Sequence, residues 1–341
     1  MNREGRIIGY DVMRIVAATM VVCIHSNVYF LHKATGELHW VAVMVMTALC
    51  VVSVPLFFMV SGAGNLVKDR TTSFTSLFRI KIPKVFIPFV IWSLIYVCLR
   101  IAMGKTPLSV HSFISLMWEP AYYQFWFMYT LFGLYLCIPI SQYIIAGSSK
   151  NLLRYILAFW AVSSLLLPVL VRYIPGFSLS GHFDLIFMEG YWGYFFLGGY
   201  LRKYPLDNER RTGSVLLAAG IVITVASAVF EWKFTPADRY YGYVYCAYLL
   251  PGAAMMATGA FTLLQSVHIK ESMRRVIYYL SGLTMGVFYI HLIIINAYEL
   301  AFKGVEPTFL NAVVKIMIVV SVSFAFCAAL RHVRVLKRYL L

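Results

Sequence analysis

Long apolar runs, separated by short basic segments, extend through the chain from one end to the other. About ten of these runs approach the 20 residues that an α-helix needs to cross a bilayer. They lie at approximately 8–30, 40–66, 84–103, 125–145, 152–174, 184–201, 213–231, 243–265, 276–300 and 309–331. The pattern predicts an all-α fold, a polytopic membrane helix bundle of about ten transmembrane helices. No linker or soluble insert interrupts it, so we expect a single domain over residues 1–341.

The composition agrees with an integral membrane protein. Of the 341 residues, 61% are hydrophobic and 13% are charged, whereas about a quarter of the residues are charged in a typical soluble domain. The first apolar run is long, and no small-residue cleavage site follows it. We therefore expect it to be a membrane span and not a cleaved signal peptide.

Lysine and arginine are unevenly shared between the two sets of segments that flank the predicted spans. Twenty of them lie in the set that contains both termini, and seven lie in the opposite set. The positive-inside rule then predicts that both termini are cytoplasmic. The net charge of +15 is mostly a consequence of this topology. Because it is spread over many short loops, we expect no nucleic-acid partner, although it can attract an anionic cytoplasmic ligand.

Arg14 and His25 are the strongest candidates for chemistry. Ionisable groups inside a membrane span are costly and are functional candidates by default. The two residues are 11 positions apart, which is about 1100° of helical rotation and about 16 Å along the axis, so they share one stripe of one helix. His25 falls in the outer half of the membrane, where a neutral imidazole can take a proton from a hydroxyl. The alternative for His25 is a structural hydrogen bond to a neighbouring helix.

Arg14 has three interpretations. Its side chain can extend to the cytoplasmic interface, or it can pair with Asp11 one turn earlier. It can also face the bundle interior and hold an anion such as a phosphate. Pairing with Asp11 is compatible with a structural role and with a functional one.

His291 is a second candidate histidine. Ser281, Thr284 and His291 are spaced i, i+3 and i+10, so they line roughly one face of a helix. They form either part of a site or a polar seam between closely packed helices.

Pro55 lies in the middle of the second apolar run. A proline there removes a helix hydrogen bond and can bend or break the span. Such breaks are tolerated at membrane depth only where protein or water covers them. Ser61 and Gly62 follow on the cytoplasmic side of this position.

Arg79, Lys81 and Lys84 lie together at the start of the third run. They either follow the positive-inside rule or form an electrostatic seat for a nucleotide-like cofactor, whose phosphates need several cations.

The remaining polar groups give weaker indications. No role can be assigned from sequence to Glu189, Lys315, His182 and Asp184. The six cysteines all lie inside predicted spans without metal-ligand spacing, so we expect no metal site. The outer segment 104–124 is rich in aromatic residues, which form either an interfacial belt or a surface on which sugar rings stack.

Several motifs, taken in order, resemble the acyltransferase-3 family of integral membrane acyltransferases. The most specific is Tyr10-Asp11, then Arg14, then His25. The others are Pro55–Gly62, Arg79–Lys84 with Pro88, Phe125–Leu131, Tyr194–Leu201 and Thr284–His291. The likeness runs from about residue 8 to residue 330. One departure is Gln124, near which many relatives carry a histidine.

The resemblance implies transfer of an acyl group, usually acetyl, from cytoplasmic acetyl-CoA to a sugar hydroxyl of a lipid-linked or surface polysaccharide. In size and in the lack of a fused soluble domain, the chain is similar to the enterobacterial common antigen O-acetyltransferase type. By position, His25 would be the catalytic histidine and Arg14 its partner. The donor would meet Arg14, Ser61, Arg79, Lys81 and Lys84. The acceptor would meet Glu119, Tyr123, Trp126, Tyr289 and His291.

The resemblance further implies that acetyl-CoA is the acyl donor and that no cofactor is permanently bound. The partners would be an acyl-CoA, a glycan or lipid-linked sugar and the lipids of a bacterial cytoplasmic (inner) membrane. The oligomeric state stays open, a homo-oligomer included. The main alternative is a transporter or exporter of a glycan, metabolite or amino acid, which would use the same polar groups without an acyl donor. A membrane sensory or assembly component is a third class.

Overall fold

A computed structural model describes residues 6–33, 37–67, 71–174, 190–234 and 247–340. Within these ranges the chain is helical and contains no strand, as the apolar pattern predicts. The first half contains α1 (Ile8–Lys33), α2 (Glu37–Cys50), α3 (Ser53–Leu66), α4 (Phe74–Ala102), α5 (Val110–Ile114), α6 (Trp126–Leu136), α7 (Ile138–Gly147) and α8 (Lys150–Tyr173). The second half contains α9 (Trp192–Lys203), α10 (Glu209–Phe234), α11 (Pro251–Gln265), α12 (Glu271–Ser281), α13 (Thr284–Ala301), α14 (Phe309–His332) and α15 (Arg334–Tyr339).

The described part of the chain holds seven helical segments that are long and apolar enough to cross a membrane. An eighth is added if α6 and α7, which meet at an angle of 51°, form one broken span. These eight correspond to predicted spans 1–5, 7, 9 and 10. The predicted spans 184–201 and 243–265 lie partly outside the described residues, where α9 and α11 represent their later portions. The protein is therefore an all-α polytopic helix bundle.

Three predicted spans are broken, and the fourth, at 125–145, divides at Cys137 into α6 and α7. The second span divides at Val51 and Val52 into α2 and α3, three positions before Pro55, which sits in the first turn of α3. Proline is tolerated there because the first amides of a helix have no internal partner. The ninth span divides at Gly282 and Leu283, so the predicted span 276–300 is two helices.

The third span begins earlier than predicted. The helix α4 starts at Phe74, ten residues before the predicted start at position 84, and the Ser73 hydroxyl caps it by accepting a hydrogen bond from the Ser76 amide at 3.2 Å. Arg79 and Lys81 therefore lie on the first turns of the helix, which include one π-helical turn at Leu77–Lys81.

The helix α1 occupies the centre of the bundle. It packs against α2, α3, α11, α12, α13 and α14, so polar side chains along α1 face other helices and not lipid. The helices α3 and α9 approach each other closely at Gly62 and Gly198. A β-carbon added at Gly62 would lie 1.7 Å from the Phe195 carbonyl oxygen, and one added at Gly198 would lie 1.9 Å from the Met59 carbonyl oxygen. Small residues at both crossing points let the backbones meet.

Large apolar side chains cover the outside of the bundle, among them Val222, Met317 and Ile140, each more than 60% exposed. In water such a surface would be a liability, whereas in a bilayer it meets hydrocarbon. The exterior therefore fits the membrane environment that the composition predicts.

Candidate active site

Asp11 is the polar centre of the basic end of α1. Its carboxylate is fully buried and accepts hydrogen bonds from Arg6 Nε at 2.7 Å and Arg6 Nη2 at 2.5 Å. It also accepts from Arg14 Nη1 at 3.1 Å and from Ser281 Oγ at 2.6 Å. A buried carboxylate needs such partners. Of the interpretations open to Arg14, the structure shows the pair with Asp11 together with a position facing the bundle interior.

Arg6 and Arg14 share one carboxylate, so the cluster keeps a net positive charge. Both side chains stay partly exposed, at 40% and 36%. The hydrogen bond to Asp11 raises the pKa of the Arg6 guanidinium, so this group remains a cation at any physiological pH. The arrangement can bind an anion through the guanidinium N–H groups that Asp11 leaves free.

A cavity of about 440 Å³ begins at this cluster and extends into the bundle. We call it the donor cavity. It is lined by Arg6, Arg14, Phe57, Val60, Ser61, Gly64, Asn65, Phe127, Leu131, Tyr135, Ser281, Gly282, Thr284, Met285 and Phe288. Its walls are apolar apart from the arginines at one end and a few hydroxyl and amide groups, which is typical of ligand sites.

His25 lies beyond the inner end of the donor cavity, in a chamber of about 20 Å³. We call it the histidine chamber. It is lined by Val21, His25, Val54, Phe57, Gln124, Trp126, Phe127, Tyr248 and Phe288. Arg14 and His25, predicted to share one stripe of α1, therefore line two adjoining spaces in the bundle interior.

Two further rings surround His25. The centroids of the His291 and Tyr123 rings each lie 5.2 Å from that of His25. The His291 Nδ1 lies 3.0 Å from the Val287 carbonyl oxygen, which can only accept, so Nδ1 carries the proton and Nε2 keeps its lone pair in the neutral ring. Neither His25 Nδ1 nor His291 Nε2 has a hydrogen-bond partner among the described residues. In the described part of the structure, no neighbouring helix therefore forms a hydrogen bond with His25 Nδ1.

A family profile described as an acyltransferase domain matches residues 7–332. This chain belongs to the acyltransferase-3 family. Comparisons with curated proteins and with solved structures found no match. Family membership and the apolar helices together establish a membrane acyltransferase in general terms.

Two residues of the acyltransferase-3 chain line these spaces without having been predicted from the sequence, Arg6 in the donor cavity and Gln124 in the histidine chamber. Arg6 was counted among the topology charges, although its position five residues before Asp11 was a usable signal. Gln124 was noted only as a departure from relatives. Its amide is buried beside the Tyr96 hydroxyl, lines the histidine chamber and has neither polar atom in hydrogen-bond geometry with a described residue.

The residues predicted to meet the donor are only partly brought together. Ser61 lines the donor cavity, and its hydroxyl is buried without a partner among the described residues. Lys81 reaches the cavity wall indirectly, because its Nζ donates to Asn65 Oδ1 at 2.7 Å. Arg79 and Lys84 are exposed on α4 and do not line the cavity.

The residues predicted to meet the acceptor are also divided. Trp126 lines the histidine chamber, and Tyr123 is 48% exposed while its ring packs on His25. Glu119 is exposed. Tyr289 does not line the chamber, whereas His291, about 200° around the helix from it, packs on the His25 ring. Tyr289 is fully buried, stacked on Trp92 at 5.8 Å.

The structure describes only one of the four residues to which the sequence assigned no role, Lys315. The Lys315 ammonium is buried and donates to Glu299 Oε1 at 2.7 Å and to the Ser26 carbonyl oxygen at 3.1 Å. It therefore ties α14 to α13 and to the turn of α1 that carries His25. Glu189, His182 and Asp184 lie outside the described residues. Within the described residues, no group of three His, Cys, Asp or Glu side chains could hold a metal ion.

Proposed function

We propose that this protein is a membrane O-acyltransferase that moves an acetyl group from cytoplasmic acetyl-CoA to a hydroxyl of a surface or lipid-linked glycan. One observation carries the proposal. In a chain of the acyltransferase-3 family, an arginine and a histidine on the same stripe of α1 line two adjoining spaces, one ligand-sized and one small. The setting we propose is a bacterial cytoplasmic membrane, as the family resemblance implies.

The donor would bind with its phosphates at the arginine end of the donor cavity. Arg6 and Arg14 supply cationic N–H donors there, and the predicted topology turns this end to the cytoplasm. A volume of about 440 Å³ suits the pantetheine arm, while the nucleotide stays at the mouth. The distance of about 16 Å between Arg14 and His25 along α1 is one that an extended pantetheine arm can span, so the thioester would arrive beside His25.

The reaction can be written with His25 as general base. The acceptor hydroxyl gives its proton to an imidazole nitrogen of His25, and its oxygen attacks the thioester carbonyl carbon. The C–S bond breaks as the C–O bond of the ester forms, and the CoA thiolate takes the proton from the imidazolium. In a second route, the imidazole nitrogen attacks the thioester carbonyl carbon and the CoA leaves as its thiolate. The hydroxyl oxygen then attacks the acetyl-imidazole, the N–C bond breaks, and the hydroxyl proton passes to the thiolate. The amide of Gln124, which lines the same chamber as His25, would donate a hydrogen bond to the carbonyl oxygen as negative charge develops.

The acceptor would approach from the opposite side of the membrane. Tyr123 and Trp126 present aromatic rings next to His25, and the neutral His291 can accept a hydrogen bond through Nε2. A sugar ring stacking on these aromatic faces would bring its hydroxyl to the chamber.

The direct test is acetyl transfer in isolated membranes. Membranes that contain the protein are incubated with radiolabelled acetyl-CoA, beside matched membranes without it, and the label in the glycan fraction is counted. We expect label that depends on the protein and is released by mild alkali, as an O-ester is. If purified protein neither binds CoA nor transfers label to any of several glycans, the proposal is contradicted in favour of a transporter.

A further inference from the structure

Three helices that are far apart in the sequence each contribute a row of side chains to the wall of the donor cavity, and each row ends at a phenylalanine. On α3 the wall residues run from Asn65 and Ser61 to Phe57, and on α6 they run from Tyr135 and Leu131 to Phe127. On α13 they run from Thr284 to Phe288. The spacing of four residues keeps each set on one helix face.

These three phenylalanines stand between the two spaces. Phe57, Phe127 and Phe288 line both the donor cavity and the histidine chamber. The ring centroids of Phe57 and Phe127 are 5.9 Å apart, and those of Phe127 and Phe288 are 5.3 Å apart. Rings at these distances are in contact, so they form a continuous partition.

The three rings are not held equally. Phe127 contacts Phe58 at 4.8 Å and Trp126 at 6.3 Å, in addition to its two partners in the partition. Phe288 also contacts Phe125, Tyr289 and His291. Among the described residues, the ring contact of Phe57 is with Phe127, and its side chain is only partly buried. Phe57 is therefore the ring that can rotate with the smallest loss of packing.

The space behind the partition is small. A cavity needs a volume of about 10–15 Å³ to hold one water-sized group, so the histidine chamber of about 20 Å³ has room for a methyl group and little more. A two-carbon acyl group fits if its methyl occupies this space. Each further methylene would press against the rings, and overpacking of a filled apolar site is unfavourable.

We propose that Phe57, Phe127 and Phe288 form an aromatic gate that selects the acyl group by length, with Phe57 as the movable ring. This inference rests on the proposed function. The thioester reaches His25 when Phe57 turns aside, and the chamber then accepts acetyl and excludes longer acyl chains. The side chains of the gate therefore determine which length of acyl group the protein transfers.

The test compares acyl-CoA donors of two, three and four carbons. Wild type, Phe57→Ala and the milder Phe57→Leu are assayed for transfer of labelled acyl groups to the glycan fraction. The matched control is Phe86→Ala, because Phe86 is 47% exposed on the outer face of α4 and lines neither space. CoA binding is measured for each variant to show that the fold and the donor cavity are intact.

We expect wild type and Phe86→Ala to use acetyl-CoA at least about 100-fold better than butyryl-CoA, since one methylene in an apolar pocket changes specificity by about 10- to 200-fold. In Phe57→Ala this preference falls at least tenfold, and in Phe57→Leu it falls less. If wild type transfers butyryl as well as acetyl, or if both Phe57 variants keep the wild-type ratio, the gate is contradicted and the acyltransferase proposal stands. If wild type transfers no acyl group from any donor, the proposed function is contradicted and the gate with it.

Discussion

Asp11 organises the residues at the basic end of α1. Its four accepted hydrogen bonds fix Arg6, Arg14 and Ser281, yet one carboxylate neutralises only one of the two arginines. The second positive charge is therefore available at the mouth of the donor cavity. This division explains how Arg14 can be paired and still serve as an anion-binding group.

Replacing Arg14 tests this role. We expect Arg14→Gln to weaken CoA binding by about 10- to 100-fold, because a hydrogen bond to a charged group contributes about 1.5–3 kcal/mol. Asp11 keeps Arg6 and Ser281 as partners, so the fold should survive. The measurement is CoA affinity by calorimetry in detergent. Arg274→Gln is the control, since Arg274 belongs to a surface ion pair with Glu271, and equal affinity in the two variants would contradict the assignment.

The placement of single residues was predictable from sequence only where it depends on the geometry of one helix. The spacing of Arg14 and His25 and the pair with Asp11 follow from the geometry of α1 alone. His291 and Tyr123 were predicted as site residues, but their contact with His25, and the places of Gln124 and Phe288 beside it, depend on tertiary packing between helices. For the same reason Tyr289, a predicted acceptor residue, does not line the histidine chamber.

At the scale of helices, the close crossing of α3 and α9 positions the wall of the donor cavity. The backbones meet at Gly62 and Gly198, and Phe57 and Ser61 lie on the same helix as Gly62. A side chain at the crossing would push α3 away from α9 and displace this wall.

Alanine substitution at Gly62 tests how closely α3 and α9 approach each other. We expect Gly62→Ala to lower the thermal stability of the detergent-solubilised protein, with a cost of about 1–3 kcal/mol or more, because the added carbon meets the backbone of Phe195. Gly133→Ala is the matched control, since nothing on another element lies within 4 Å of a carbon added there and alanine favours a helix. A melting temperature for Gly62→Ala equal to that of the control would contradict the crossing.

Helix existence was predictable from sequence, whereas helix breaks were predictable only in part: Pro55 indicated a break in the second run, and that run is interrupted at Val51 and Val52. Length and hydropathy are local properties, and they identified eight spans that the described residues contain. The break at Val51 precedes Pro55 by several positions, and the break at Gly282 has no proline at all. Both depend on packing partners that a single apolar run does not reveal.

For the whole molecule, the charge distribution predicts which loops face the cytoplasm. We expect cysteines introduced at Lys105 and Lys303 to react with a membrane-impermeant maleimide added outside intact cells. Cysteines introduced at Lys150 and Lys270 should react only after the membrane is permeabilised. All four side chains are exposed. Labelling of the second pair from outside would reverse the topology and place the arginine end of the donor cavity on the wrong side for acetyl-CoA.

If His25 carries the transfer, its removal must abolish labelling of the glycan while donor binding remains. Acetyl transfer and CoA binding are therefore measured on the same preparations of two histidine variants. His25→Gln removes the imidazole from the chamber, whereas His39→Gln removes an exposed imidazole that lines neither space. Loss of a general base slows a reaction by about 10²- to 10⁴-fold. We predict such a loss of label in the glycan fraction for His25→Gln with CoA binding retained, and wild-type transfer for His39→Gln. Equal transfer by the two variants would contradict the account.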